Sequence, residues 1–156
     1  MGRAARTIRN AALAKLEALC RERGGRLTRQ RRAVAAELVA AGRALSAYEL
    51  LERLRPEDGR STAAGIYRSL EFLMRLGVVH RLETTRSFVL CERLEEPHPV
   101  QFLICRRCGQ VVEEGDESLA AAADKLGRRL GFELDQRTVE LTGVCAGCRT
   151  RGAAAH

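Results

Sequence analysis

From Ile8 to Leu76 the apolar positions recur at the three- and four-residue spacing of helices, and from Val78 to Cys91 they change to short β-rich runs. Ile8, Ala12, Leu13, Leu16, Leu19 and Cys20 share one face of a first helix, which Gly24-Gly25 ends. Thr28 offers an N-cap for RQRRAVAAELVAAG, with Gly42 as the stop. Ser46 and Glu49 stand at capping-box spacing for AYELLERL, and Pro56 follows the expected end of that helix. Ser61 or Thr62 caps AAGIYRSLEFLMRL, closed by Gly77. VVHRL and SFVLC, separated by ETTR, read as a β-hairpin. Helices followed by a hairpin, the last helix bearing Arg, outline a winged helix-turn-helix, whose last helix enters the DNA major groove.

The charged, Pro-bearing ERLEEPHP at 92–99 reads as a hinge. It divides a winged-helix domain, 1–91, from a second domain, 100–156. There the pattern predicts a strand VQFLIC, a Cys-x-x-Cys turn, a short strand QVVEE, a helix from about Ser118 to Leu130, and a β segment FELDQRTVELTG that leads to Cys145. Strand, strand, helix, strand makes a small α+β unit. It is too small to bury a core alone, which favours pairing with a second copy.

Charge follows the same division. Through residue 90, Lys and Arg outnumber Asp and Glu 18 to 9, and beyond it they number 9 against 11. A basic half joined to a mildly acidic half points to one part that meets a polyanion, although a solvated Arg-rich surface has the same charge. No apolar run has the length of a bilayer span, and the Arg-rich start lacks a signal-peptide core, so a cytoplasmic protein is expected. In that compartment six cysteines are thiols or metal ligands more often than disulfides.

Cys105 and Cys108 in FLICRRCG could be half a zinc site, a redox dithiol or half of a disulfide framework. Cys145 and Cys148 in GVCAGC repeat the spacing. Four thiolates in two such turns match a closed tetrahedral zinc site, with Zn–S bonds of about 2.3 Å. A redox role needs one pair and leaves the other unexplained. The 36 residues between the pairs imply a metal that clamps the two ends of the unit, with no open position for catalysis.

His80 and Cys91 suggest a second site. A four-residue TTRS turn would set Glu83 opposite Phe88 and His80 opposite Cys91, with β-carbons about 4.5–5.5 Å apart. The plainer reading makes Cys91 a small buried hydrophobe and His80 an edge residue. His98, between Pro97 and Pro99, and Glu113 would complete a mixed N/S/O set that joins hairpin, hinge and second domain. One thiolate with imidazoles favours zinc over harder metals. Cys20 reads as a buried helix thiol.

LTRQR, LSAYELLERL, GIYRSLEFLMRLGVVHRLE, FVLC and FLICRRCGQVVE…GVCAGC together resemble the ferric uptake regulator family over roughly residues 10–150, and within it the zinc uptake regulator branch. The resemblance implies an α+β fold: an N-terminal winged helix-turn-helix followed by a small α/β dimerisation domain with a four-cysteine zinc site. It implies a homodimeric repressor of operator DNA, not an enzyme, with no small-molecule substrate or membrane partner and two Zn2+ per chain. The structural zinc ligands fall on Cys105, Cys108, Cys145 and Cys148, and the regulatory ones on His80, Cys91, His98 and Glu113. The recognition helix falls on 62–76, with Tyr67 and Arg68 at its Tyr-Arg position, and Arg31 matches the Arg of the L-T-x-Q-R element. Arg68 is the base-edge candidate, while Arg26, Arg29, Arg31 and Arg32 read as phosphate contacts. Two departures stand out: Arg29 replaces a usual Pro, and Gly65 a usual Thr. The alternatives are the same fold sensing iron, manganese or peroxide, and a zinc-stabilised interaction module without DNA binding.

Overall fold

In the computed structural model residues 3–58, 61–94, 99–134 and 138–153 are described, with the backbone alone for 3–10, 56–58 and 151–153. The chain divides into two compact units, Met1–Leu94 and Glu95–His156. Residues 95–98 of the expected hinge, and with them His98, lie outside the described residues.

Local chemistry sets the helix ends of the first unit. The helices are α1 (Arg3–Glu22), α2 (Arg29–Ala41), α3 (Ala47–Asp58) and α4 (Ala63–Arg75). Thr28 Oγ1 accepts from the Arg31 N–H at 3.4 Å to start α2, and Gly42 ends it in the left-handed region. Thr62 Oγ1 accepts from the Gly65 N–H at 3.2 Å to start α4. Beyond its end Gly77 adopts φ 66 and donates to the Met74 carbonyl at 2.8 Å, while Val78 donates to the Leu73 carbonyl at 3.0 Å. This pair of hydrogen bonds, a Schellman turn, turns the chain into the hairpin. Pro56 does not follow the end of α3, which runs on to Asp58. Proline's fixed φ is helical, so in a final turn it removes one hydrogen bond without stopping the helix.

The hairpin strands are β2 (Val79–Leu82) and β3 (Ser87–Leu90). The sequence pattern does not reveal a short strand between α2 and α3, β1 (Leu45–Ser46), which completes a sheet of order β1-β3-β2. Leu16, Val34, Leu45, Leu50, Ile66, Leu70, Leu73 and Val78 are fully buried in one core with Cys20.

The capping box forms as expected. Glu49 accepts from the Ser46 N–H at 2.8 Å and pairs with Arg43 at 2.8 Å, while Ser46 Oγ accepts from the Glu49 N–H at 3.2 Å. The Ser46 N–H foremost, then Arg43, holds the Glu49 carboxyl down at about 2. A depressed carboxylate stabilises the fold above its unfolded pKa, about 4.3, and loses that contribution as pH falls toward 2. The Glu49 side chain is 38% exposed, so solvent screening discounts the effect. Glu49→Ala is expected to cost about 1 kcal/mol at neutral pH. In thermal melts the gap between wild type and variant should close as the buffer is taken from about pH 6 to about pH 2.5; a gap that persisted would assign the stability to something other than the ionised box.

The second unit contains β4 (Val100–Cys105), β5 (Val111–Glu114), α5 (Glu117–Leu130), β6 (Thr138–Gly143) and α6 (Ala146–Ala153). The sheet order is β5-β4-β6, with β4 antiparallel to β5 and parallel to β6. A parallel pair needs a crossover, and the chain through α5 supplies it. Asp116 caps α5 by accepting from the Leu119 N–H at 3.0 Å, and the buried Gln101 accepts from the Asp116 N–H at 2.6 Å, pinning the helix start to β4. β6 is shorter than the expected segment, and the sequence pattern does not reveal α6. Leu103 of β4 pairs with Val112 of β5 and Leu141 of β6, and all three are exposed, an apolar row across the sheet. No described helix is long and apolar enough to cross a membrane.

Candidate metal centre and nucleic-acid interface

Strand β4 ends on Cys105, and Gly109, at φ 73, lets the following turn fold back so that its N–H donates to the Cys105 carbonyl at 2.9 Å. Because β6 runs parallel to β4, Gly143 pairs with Cys105, and the next residues carry Cys145 alongside. Cys148 comes round on the first turn of α6, its N–H on the Cys145 carbonyl at 3.0 Å. Arg107 ties the two turns by donating to the Cys148 carbonyl at 3.0 Å.

The four sulfurs lie within 4.8 Å of one another, and Cys108 Sγ stands 3.7 Å from Cys145 Sγ. A tetrahedron with Zn–S bonds of about 2.3 Å has edges of about 3.8 Å, so the set fits zinc. The separation far exceeds a disulfide bond, about 2.05 Å, and none of the six cysteines is in a disulfide. Backbone N–H groups of Cys145, Cys108 and Arg107 point at the Cys105 sulfur and hold its thiol down at about 6. The neighbouring Cys108 thiol, then burial, pushes Cys148 up to about 12. Four sulfurs crowded this closely are a donor set that a dication completes.

The hairpin register differs from expectation. His80 pairs with Val89, not Cys91, and the Cys91 N–H donates to the Val78 carbonyl at 3.0 Å. The loop is Glu83–Arg86, not TTRS, and closes on Leu82 opposite Ser87, with Arg86 left-handed at φ 50. This register keeps Glu83 in solvent beside Arg81 and buries Leu82. It also lets Phe88 pair with Leu45 of β1. The slip is two residues, so side-chain parity survives: His80 and Cys91 remain on one face as diagonal neighbours. Their ligand atoms lie within 4.8 Å, and Cys91 is 2% exposed. Glu113, on β5, is also buried.

On α4, Tyr67 is 52% exposed and Arg68 is exposed beside it, so Tyr67 is not a core residue. Arg26 and Arg29 are exposed as well. Arg31 and Arg32, expected on phosphate, are engaged within the unit: Arg31 lies over the Phe72 ring at 3.4 Å and donates to the Arg26 carbonyl at 2.8 Å, and Arg32 pairs with Glu17. Sequence reasoning passed over Tyr48, 68% exposed at the start of α3, whose hydroxyl bonds Glu52. Its place in the apolar pattern gave no sign of that exposure.

Comparison with known proteins bears on this arrangement. The sequence model of the Ferric uptake regulator family matches residues 22–142. A zinc uptake regulation protein of Escherichia coli is 38% identical over 144 residues, 92% of this chain and 84% of that protein. One of Mycobacterium tuberculosis is 33% identical over 127 residues, 81% of this chain and 97% of that protein. A solved zinc uptake regulator complexed with zinc and DNA superposes with a TM-score of 0.89 at 37% identity, covering 93% of this chain and 97% of that one.

Proposed function

The chain belongs to the ferric uptake regulator family, and from that premise we propose that it is a zinc-responsive transcriptional repressor. It binds operator DNA as a homodimer in the cytoplasm and carries two zinc ions per chain, one structural and one regulatory. The observation that carries this reading is the four-sulfur cluster in the same chain as a capped, amphipathic helix whose exposed face bears Tyr67 and Arg68. A closed four-thiolate zinc supplies cross-links and no open position for chemistry.

The remaining roles follow from the residues. Helix α4 lies in the major groove, where Arg68 takes a guanine edge and Tyr67 lies alongside. Arg26 and Arg29 contact phosphates, and Arg31 holds α2 against α4 through Phe72. The apolar row of Val112, Leu103 and Leu141, with exposed Leu126, Leu130 and Phe132, supports a second copy as the partner. His80, Cys91, His98 and Glu113 take the regulatory zinc; the nearness of His80 and Cys91 supports it. Ligands drawn from positions 80 to 113 converge only in some arrangements of the chain, so zinc selects among them.

The test is DNA binding at buffered free zinc, on promoter fragments of zinc-uptake genes. Binding should appear as zinc rises and vanish on chelation; binding that responded to iron and ignored zinc would overturn the reading. Arg68→Ala should lose about 1–3 kcal/mol of discrimination at one base position. Arg29→Ala should weaken all sequences alike and lower the slope of log affinity against log salt by about 1. The reverse pattern would exchange the two roles.

A further inference from the structure

Gln30 and Gly65 meet where α2 and α4 begin. A β-carbon placed on Gly65 would stand 2.5 Å from Nε2, 2.9 Å from Oε1 and 3.1 Å from Cδ of Gln30. The Gln30 carboxamide therefore occupies space that any other residue at 65 would fill. Gly65, itself buried, lies three positions before the exposed Arg68, so the two are neighbours one helical turn apart on α4. Helical side chains lean toward the N-terminus, so Arg68 leans toward the turn on which the carboxamide rests. Gln30 is half-buried, and among the described residues its carboxamide has no hydrogen-bond partner. Its neighbours Arg31 and Arg32 are by contrast fastened to Phe72, the Arg26 carbonyl and Glu17.

We infer that Gln30 is a base-reading residue, and that Gly65 is the positioning residue that admits its carboxamide to the DNA face of α4. The inference rests on the DNA-binding reading above. A carboxamide presents one donor and one acceptor side by side, which matches N6 and N7 of adenine as the Arg68 fork matches guanine. The site read is an adenine next to the Arg68 base. The Gln30 amide is the far end of a flexible side chain, so a methyl at 65 pushes it aside without a backbone clash. Gly65→Ala therefore folds normally, since Ala favours a helix over Gly, yet displaces the reading group.

The experiment selects binding sites from randomised duplex DNA with the full-length, zinc-loaded protein, then measures competition on the enriched site. Gln30→Ala should lose adenine preference at one position in each half-site, a drop in discrimination of about 5- to 150-fold. Gly65→Ala should lose preference at the same position while melting no lower than wild type. The double variant should lose no more than either single one. Arg68→Ala should lose preference at a different position. Uniform weakening of all sequences by Gln30→Ala would indicate a phosphate contact and overturn the inference, as would additive losses in the double variant. Should wild type enrich no sequence while Arg68→Ala changes nothing, the DNA-binding reading falls first and this inference with it.

Discussion

Cys105→Ser is expected to remove one zinc per chain and to unfold the second unit while the helices of the first persist. Cys105 is the residue through which β4 enters the site, and it is 5% exposed, so serine leaves a harder, protonated ligand in a closed pocket. Structural zinc in small domains carries apparent binding free energies of about 10–16 kcal/mol at neutral pH. Whole domains are stable by only about 5–15 kcal/mol. Losing most of the first figure exceeds what three short strands, with an apolar row facing outward, can supply. Native mass spectrometry should count the missing ion. Amide hydrogen exchange should show protection lost across 100–105 and 138–143 and kept in α2 and α4. Cys148→Ser should do the same from the other end of the clamp. A variant that lost the ion yet kept its exchange protection and melting temperature would reduce the site to an ornament of the fold.

Where a residue acts on its own backbone neighbourhood, the sequence was a sufficient guide. Thr28, Ser46 with Glu49, Thr62, Gly42 and Gly77 each satisfy groups within four residues, and each was readable as a cap. The two Cys-x-x-Cys turns were legible for the same reason: their spacing is itself the geometry of half a site. What stayed hidden depends on contacts between distant segments. The hairpin register follows from Phe88 meeting Leu45 on a two-residue strand too short to leave a periodic signal. Arg31 and Arg32 look like free cations in LTRQRR, and only the folded chain reveals Phe72 and Glu17 beside them. The His80–Cys91 pairing was misplaced by two residues and kept its face, because a slip of two preserves the alternation of a strand. A slip of one would have sent His80 to the opposite side.

That surviving alternation is what Cys91→Ser tests. The variant is expected to remain a folded dimer with its four-cysteine zinc, and to lose the response of DNA binding to added zinc. Coupling between two sites is commonly about 1–3 kcal/mol, so wild type should tighten on its operator by about 5- to 150-fold when the regulatory site fills. Serine is nearly the size of cysteine, so the core around position 91 is little disturbed, but a neutral hydroxyl is a poor zinc ligand beside an imidazole. The zinc-dependent gain should fall to within about twofold, and His80→Ala should match it. Because coupling is reciprocal, operator DNA must raise wild-type affinity for the regulatory zinc by the same factor, and must leave the Cys91→Ser chain's zinc content unchanged. Titrating zinc with and without operator measures that directly. A Cys91→Ser protein that still bound DNA in proportion to free zinc would move the sensor away from His80 and Cys91, and would leave the four-cysteine centre as the only zinc on which regulation could act.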